Sequence, residues 1–405
     1  MVQPNEALDI ITGSFKPVNR ESISLFDSLG RVMAAPVRSR RTLPPADTSF
    51  LDGYAVRSGD LCGDLPIKLK VNGVIPAGKD TSTFQTPSGT CWRIMTGTAL
   101  PCDTNVVVRH EDTDNSATEV TINSFLSSGF SGARKKGEES LEGDITDHTG
   151  EYINMAHIAE MAVRGAHYIQ VYRRPRIAVI STGGEIADPA EQDSPMKIFD
   201  SNSFAIKAIL EGLGCDVSYG GVCDDEPEKI IETLRSLHSY DMIISTGGVS
   251  AGDFDYFARM PEKLGIEWRF FHVRQRPAQP VCYGMAYGTP FFALPGTPVG
   301  SILCTELYVK PAVKALAGLK HTRTRYIKTA LAEPINKGVN CVQYNVANCL
   351  WEDGVLKAYP KSIANYSLKT LAAANAFIEI NNGCKGEVAK GTEVNAYIFD
   401  PFLFL

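Results

Sequence analysis

Two unbroken apolar runs, at 177–180 and 242–244, each lead into the same four residues, Ser-Thr-Gly-Gly. Runs this short, without polar alternation, predict strands covered on both faces, as in the parallel sheet of an α/β unit. The stretches 266–273 and 291–294 predict further strands. Between the strands the apolar period becomes helical. Ile206, Ile209, Leu210 and Leu213 share a face after Asp200-Ser201-Asn202, and Ile230, Ile231, Leu234 and Leu237 share another after Asp224-Asp225-Glu226-Pro227. Residues 299–316 predict a third helix, so the chain from 176 to 318 reads as a doubly wound α/β sheet.

The flanking pattern differs. Ala7, Ile10, Ile11 and Phe15 form one apolar stripe and residues 25–35 carry a second, so the first forty residues read as helical and then extended. Short strands at 67–71, 104–109 and 119–122, broken by Asn72-Gly73 and Ala77-Gly78, predict a β-rich unit inserted into the N-terminal one. A helix is expected around 152–164, and Arg173-Arg174-Pro175 introduces the α/β unit. After His321, short strands at 326–331, 343–346, 355–359 and 377–380 with glycine turns predict a small β-barrel or sandwich. The expected division is 1–44 with 131–173, an insertion at 45–130, the α/β domain at 174–320 and a terminal β domain at 321–405.

Composition narrows the classes. With 44% apolar and 21% charged residues in 405, the chain is globular and large enough for several domains. A net charge of −6 argues against nucleic acid, and no run is long enough to cross a bilayer. The N-terminus lacks a signal pattern, and ten scattered cysteines without a C-x-x-C pair read as buried thiols in a reducing cytoplasm. Seven dispersed histidines speak against a zinc site.

Chemistry concentrates at glycine loops. A buried strand ending in paired glycines turns its amides toward a bound phosphate, at the strand ends where α/β sheets hold ligands. That points to a nucleotide or another phosphorylated anion at Gly183, Gly184, Ser245, Gly247 and Gly248, with Pro295, Gly296 and Thr297 forming a third loop. Acidic residues stand beside these turns: Glu185, Asp225, Asp253 and Asp255, with Asp52 before Gly53, which would permit a tight turn. Carboxylates near phosphate loops hold a hard divalent cation such as Mg²⁺, although Asp225 reads equally well as a helix cap. Arg274 and Arg276 could grip an oxyanion in bidentate fashion, and a surface basic run is the plainer reading.

Taken together these segments resemble the MoeA family of molybdenum-insertion proteins, which includes the C-terminal domain of gephyrin. The resemblance runs through Leu29-Gly30-Arg31-Val32, Leu51-Asp52-Gly53-Tyr54-Ala55-Val56-Arg57, Arg93-Ile94-Met95-Thr96-Gly97, the first Ser-Thr-Gly-Gly-Glu, Asp200-Ser201-Asn202-Ser203, the run from Gly247 to Tyr256, and Leu294-Pro295-Gly296. It implies a multi-domain α/β plus β fold: a MogA-like doubly wound domain, an inserted β-rich domain, an elongated discontinuous N-terminal domain and a C-terminal small β-barrel. It also implies a homodimer whose cleft joins the α/β domain of one subunit to the inserted domain of the other. The implied reaction is Mg²⁺-assisted insertion of molybdate, or tungstate, into adenylylated molybdopterin with loss of AMP. A molybdopterin adenylyltransferase and an apo-molybdoenzyme would be partners.

Residue by residue, the resemblance implies catalytic roles for Asp52 and Thr96 from the inserted domain and for Glu185, Asp225 and Asp255 from the α/β domain, the last three also as metal ligands. Ser250, Gly252 and Asp253 would join the nucleotide loops, and Arg274, Arg276 and Gln279 would face the molybdate. The chain departs from the family where Lys-Pro-Gly-Lys-Pro becomes Arg276-Pro277-Ala278-Gln279-Pro280 and Pro-Gly-Asn-Pro-Val-Ser becomes Pro295-Gly296-Thr297-Pro298-Val299-Gly300. Ala133 and Ala373 also replace polar residues. A unit charge lost about 4 Å from an anion is worth roughly 4 kcal/mol at an effective dielectric near 20. The alternative is therefore a weakened paralogue that binds or carries the cofactor without efficient insertion.

Overall fold

The computed structural model describes residues 1–125, 131–190, 195–249, 256–361, 367–381 and 383–399. Helix α1 (Pro4–Ser14) starts on a proline, whose missing amide is no loss in a first turn, and buries Ala7 and Ile11. Strand Arg20–Ser24 pairs antiparallel with Tyr168–Tyr172, and Val37–Arg38 pairs with Ile145–Thr146. The chain before the insertion thus folds with the chain after it, including helix α2 (Met155–Val163). The stripe at 25–35 yields only the short turn Leu25–Asp27, not a helix. Ser28 caps it, Gly30 adopts φ +73° in the turn that follows, and Met33 then bridges to Val171 in extended form.

Five strands make the inserted sheet, in the order Val106–Arg109, Gly53–Val56, Thr90–Ile94, Ile67–Ile75 and Glu119–Ile122. Asn72-Gly73 does not break a strand. Ile67–Ile75 runs through it as a bulge, with the register shifting between Val71 and Val74. Gly53 likewise sits inside the sheet rather than in a turn. A Cβ there would lie 2.0 Å from the Val108 carbonyl oxygen, so close approach of the neighbouring strand is what demands glycine.

The α/β unit holds β1 (Arg176–Thr182), α3 (Asn202–Glu211), β2 (Asp216–Cys223), α4 (Pro227–Ser236), β3 (Met242–Thr246), β4 (Ile266–Phe271), β5 (Cys282–Ala286), β6 (Thr289–Leu294) and α5 (Pro298–Cys304). Their sheet order is β2-β1-β3-β6-β5-β4. The first four strands are parallel, and β5 runs antiparallel to both of its neighbours, β6 and the edge strand β4. Alternation within the apolar runs builds two cores. Ile177, Val179, Met242, Ile244, Phe292 and Leu294 pack with α3, α5 and α1, while Ile180, Ile243, Phe291 and Ala293 pack with α4. Both faces are covered, which explains why the runs 177–180 and 242–244 are apolar without alternation.

The helix expected over 299–316 is interrupted. α5 passes into a widened turn, Thr305–Val309, before Lys310–Leu316 resumes α geometry. Pro311 has no amide for the carbonyl four residues back, and the wider turn accommodates that loss. The C-terminal strands close into a five-stranded barrel through pairing of Val342–Glu352 with Ala376–Ile380. Gln275–Arg276 adds onto the barrel, Arg276 lying opposite Gln343. All ten cysteines are free and no described helix is long and apolar enough to cross a membrane.

Candidate functional site

The carboxyl ends of β1, β3 and β6 open into one cleft of about 970 Å³. Its lining includes Ser181, Thr182 and Gly183 from the first loop, Thr246, Gly247 and Gly248 from the second, and Pro295, Gly296 and Thr297 from the third. The loops are mutually fitted. Gly247, at φ +93°, would place a Cβ 2.5 Å from the Thr182 carbonyl oxygen, so the second loop lies directly on the first. Gly183, at φ +143°, would place one 2.9 Å from Glu185 Oε2. The Glu185 carboxylate thus folds back over its own loop. Asp225, ahead of α4, accepts a hydrogen bond from the Gly184 amide at 3.0 Å. Glu185 and Asp225 therefore meet at one glycine loop, and both line the cleft.

A largely buried polar knot forms part of the same lining. The Ser181 hydroxyl donates to Asp200 Oδ2 at 2.7 Å and stands 2.9 Å from both the Ser203 and Thr246 hydroxyls. Asp200 Oδ1 accepts the Ser203 amide at 3.0 Å, in the first turn of α3. Asn202 donates to the Gly296 carbonyl at 2.8 Å, tying α3 to the third loop, while its Oδ1 is buried without a partner.

Arg276 reaches the cleft because its neighbour is locked. Gln275 is fully buried, donates to the Ala278 carbonyl at 3.1 Å and accepts from the Tyr308 hydroxyl, so alternation turns Arg276 outward. It is the one cation in the lining among the described residues. Arg274 instead donates to the Asn340 carbonyl at 3.3 Å and does not line the cleft. Neither does Gln279, whose carbonyl accepts the Val273 and Val281 amides. Ser245 is wholly buried under the floor, its hydroxyl unpartnered. Asp52 and Thr96 lie on the inserted sheet, away from the cleft lining but together: Asp52 Oδ1 accepts the Thr96 amide at 2.6 Å and hydroxyl at 2.9 Å. These bonds, the amide first, hold the Asp52 carboxyl below the usual carboxylate range. Ser250, Gly252, Asp253 and Asp255 lie outside the described residues.

Sequence reasoning missed several lining residues. Val339 and Gln343 arrive from the barrel, and Ile198 and Phe199 from a short strand paired with Ile186–Ala187. Asp200 read only as a cap, although the Ser181/Thr246 hydroxyls repeated in two identical strand ends were a signal for its network.

Three departures from the family pattern touch one another. A Cβ on Gly300 would stand 2.6 Å from Thr297 Oγ1 and 3.2 Å from the Ala278 Cβ. Ala278 occupies φ +63°, a conformation that favours glycine. Gly300→Ala is expected to destabilise by about 1 kcal/mol despite its better helix propensity, because Thr297 is stiff at χ1. In a Thr297→Ala background the same change becomes stabilising, a coupling of about 1–2 kcal/mol in a urea-denaturation cycle. Additive values would show that Thr297 simply moves aside.

Three family models match the chain in order. They are the MoeA N-terminal region (domain I and II) over residues 2–165, a probable molybdopterin binding domain over 178–315 and the MoeA C-terminal region (domain IV) over 328–399. The molybdopterin molybdenumtransferase of Staphylococcus epidermidis is 33% identical over 390 residues, covering 95% of this chain and 93% of that one. Molybdopterin molybdenumtransferase 2 of Mycobacterium tuberculosis is 31% identical over 390 residues, covering 93% and 94%. The crystal structure of the molybdopterin biosynthesis MoeA protein from Pyrococcus horikosii superposes with a TM-score of 0.83 at 27% identity, over 99% of this chain and 100% of that one.

Proposed function

The chain belongs to the MoeA family of molybdopterin molybdenumtransferases, enzymes of molybdenum cofactor biosynthesis, and from that premise we propose the reaction of the cleft: Mg²⁺-assisted insertion of molybdate into adenylylated molybdopterin, with AMP released. The observation that carries this reading is the convergence of three glycine loops, three carboxylates (Glu185, Asp200 and Asp225) and one arginine at the ends of β1, β3 and β6. Amides of the glycine loops suit an anhydride-linked diphosphate. The unpartnered Asn202 Oδ1 suits an N–H of a base or pterin ring. Arg276 supplies the charge-assisted donors for a tetrahedral dianion.

The donor set at Gly184 is all oxygen, Glu185 with Asp225, which fits a hard cation such as Mg²⁺ and would suit a softer metal poorly. When bound there it would offset repulsion between the diphosphate and the incoming dianion. The chain's own groups do the rest. The fitted loops fix the anhydride against the oxyanion, so that two mutually repelling reactants meet in one orientation. In a cytoplasmic homodimer, Asp52 and Thr96 of the inserted sheet would complete the cleft of the neighbouring subunit.

A second reading, a carrier that binds the nucleotide without turning it over, is favoured by one observation. Arg274 is bonded to Asn340 and Gln279 lies off the cleft, leaving Arg276 as the one cation for the dianion among the described lining residues. AMP release decides between the two. Purified protein given adenylylated molybdopterin, Mg²⁺ and molybdate is expected to release AMP over many turnovers. Tight nucleotide binding with no AMP would establish the carrier, and no binding of the nucleotide would end both readings.

A further inference from the structure

Outside the cleft lining, the N-terminal unit brings together His148, Glu151 and His157, whose ligand atoms all lie within 4.8 Å of one another. Dispersed histidines gave no hint of this in the sequence. A turn at 147–151 meets the first turn of α2, and side chains nine residues apart converge. The two imidazole rings stack with centroids 4.1 Å apart at 23°. Glu151 Oε2 stands 3.5 Å from His148 Nδ1 and 4.0 Å from His157 Nε2, so one carboxylate oxygen faces both rings. Its other oxygen is 3.4 Å from the Lys320 ammonium. We propose that His148, Glu151 and His157 form a binding site for a borderline divalent metal of the zinc type, separate from the cleft.

The orientation of His148 is the second, independent reason. Its Nε2 lies 2.9 Å from Glu160 Oε2, and Glu160 is itself fixed by the Thr146 hydroxyl at 3.0 Å and the Arg164 guanidinium at 3.3 Å. A histidine that gives its Nε2 proton to a held carboxylate turns an unprotonated Nδ1 toward the other two groups. That carboxylate–histidine arrangement is the one that orients and strengthens an imidazole ligand. The scaffold is also tied down. Gly150 donates to the Met33 carbonyl at 2.8 Å and accepts the Lys320 amide at 2.9 Å, so the turn is pinned between the N-terminal unit and the segment leaving the α/β unit.

His157 needs one rearrangement. Its Nδ1 accepts the Asn154 amide at a long 3.4 Å, which leaves the proton on Nε2. On metal uptake that proton moves to Nδ1, so the neutral ring ligates through Nε2 and the long contact to the Asn154 amide is given up. The helix keeps its cap, because the Asn154 carboxamide accepts the Ala156 and His157 amides at 2.9 and 3.0 Å. Two imidazoles and a carboxylate form a nitrogen-rich, three-ligand set with a fourth position for water, which Zn²⁺ takes readily and Mg²⁺ does not.

The test titrates chelator-stripped full-length protein with Zn²⁺ against a background of excess Mg²⁺, so that all-oxygen sites are filled. One saturable equivalent is expected, abolished in the variant His148→Ala/His157→Ala with an unchanged circular dichroism spectrum. Glu160→Gln should weaken uptake about tenfold or more while the ligands remain. No saturable zinc uptake by the parent chain, or uptake that survives the double variant, overturns the proposal. Should the double variant not fold, cobalt(II) on the parent chain decides. Imidazole N–H resonances shifted by the paramagnetic ion support the site, and their absence removes it.

Discussion

Asp225→Asn is expected to lower kcat/KM for AMP release by about 100- to 1000-fold while leaving the midpoint of unfolding essentially where it is. The side chain keeps its shape, and an asparagine carbonyl oxygen can still accept the Gly184 amide now bound at 3.0 Å. What disappears is a unit negative charge at the loop that also carries Glu185. At a few ångströms and an effective dielectric near 20, that charge is worth about 4 kcal/mol toward a neighbouring cation, which is roughly three decades in rate. Because Glu185 and Asp225 would act on the same ion, Glu185→Gln in the Asp225→Asn background should cost little more. Steady-state AMP release by the single and double variants, with Mg²⁺ varied, checks both statements. An Asp225→Asn enzyme within about threefold of its parent would remove this residue from the chemistry.

The elements that proved legible are those whose burial is local in the sequence. Apolar runs at 177–180 and 242–244 could only be strands covered on both faces, and they are β1 and β3, buried at every position from Ile177 to Thr182 and from Met242 to Thr246. The facing stripes of α3 and α4 were readable for the same reason. What escaped depends on neighbours far along the chain. Residues 25–35 have a helical spacing, yet Leu25 is buried from a short turn and Met33 from a bridge to Val171, both in one core with Met161 and Ile169, while Phe26 and Leu29 are exposed. Gly53 and Asn72-Gly73 look like turn chemistry, but a crowding strand explains the first and a bulge the second. At the site, spacing suggested Glu185 and Asp225, and a glycine loop joins them. Spacing could not tell Arg274 from Arg276. The distinction comes from the barrel, to which Arg274 is bonded and beside which Arg276 pairs. Val339 and Gln343 carry no motif, and enter the cleft only because the barrel closes against it.

Asp200→Ala is expected to cost about 3 kcal/mol in stability, well beyond what the helix-capping role legible in the sequence would account for. Asp200 is 4% exposed and receives the Ser181 hydroxyl and the Ser203 amide. Ser181 in turn meets the Ser203 and Thr246 hydroxyls, so one carboxylate sets the direction of a network joining β1, β3 and the start of α3. Truncation to alanine leaves a buried amide and hydroxyl without their acceptor and removes a negative charge from a helix N-terminus, where it is favoured. Asp200→Asn should cost far less, about 1 kcal/mol. Its carbonyl oxygen can take the Ser203 amide, and the Ser181 hydroxyl can reverse to accept from the new amino group while donating to Thr246. The difference between the two variants therefore isolates hydrogen-bond satisfaction from charge. Urea denaturation of both variants measures it, and equal losses would mean that the charge at α3 governs instead of the network. The functional consequence follows from position. Ser181 and Thr246 are the residues from which the two Ser-Thr-Gly-Gly loops depart, so loosening this knot lets Thr182 and Gly247 slide apart, and the alanine variant should lose nucleotide affinity even where it remains folded.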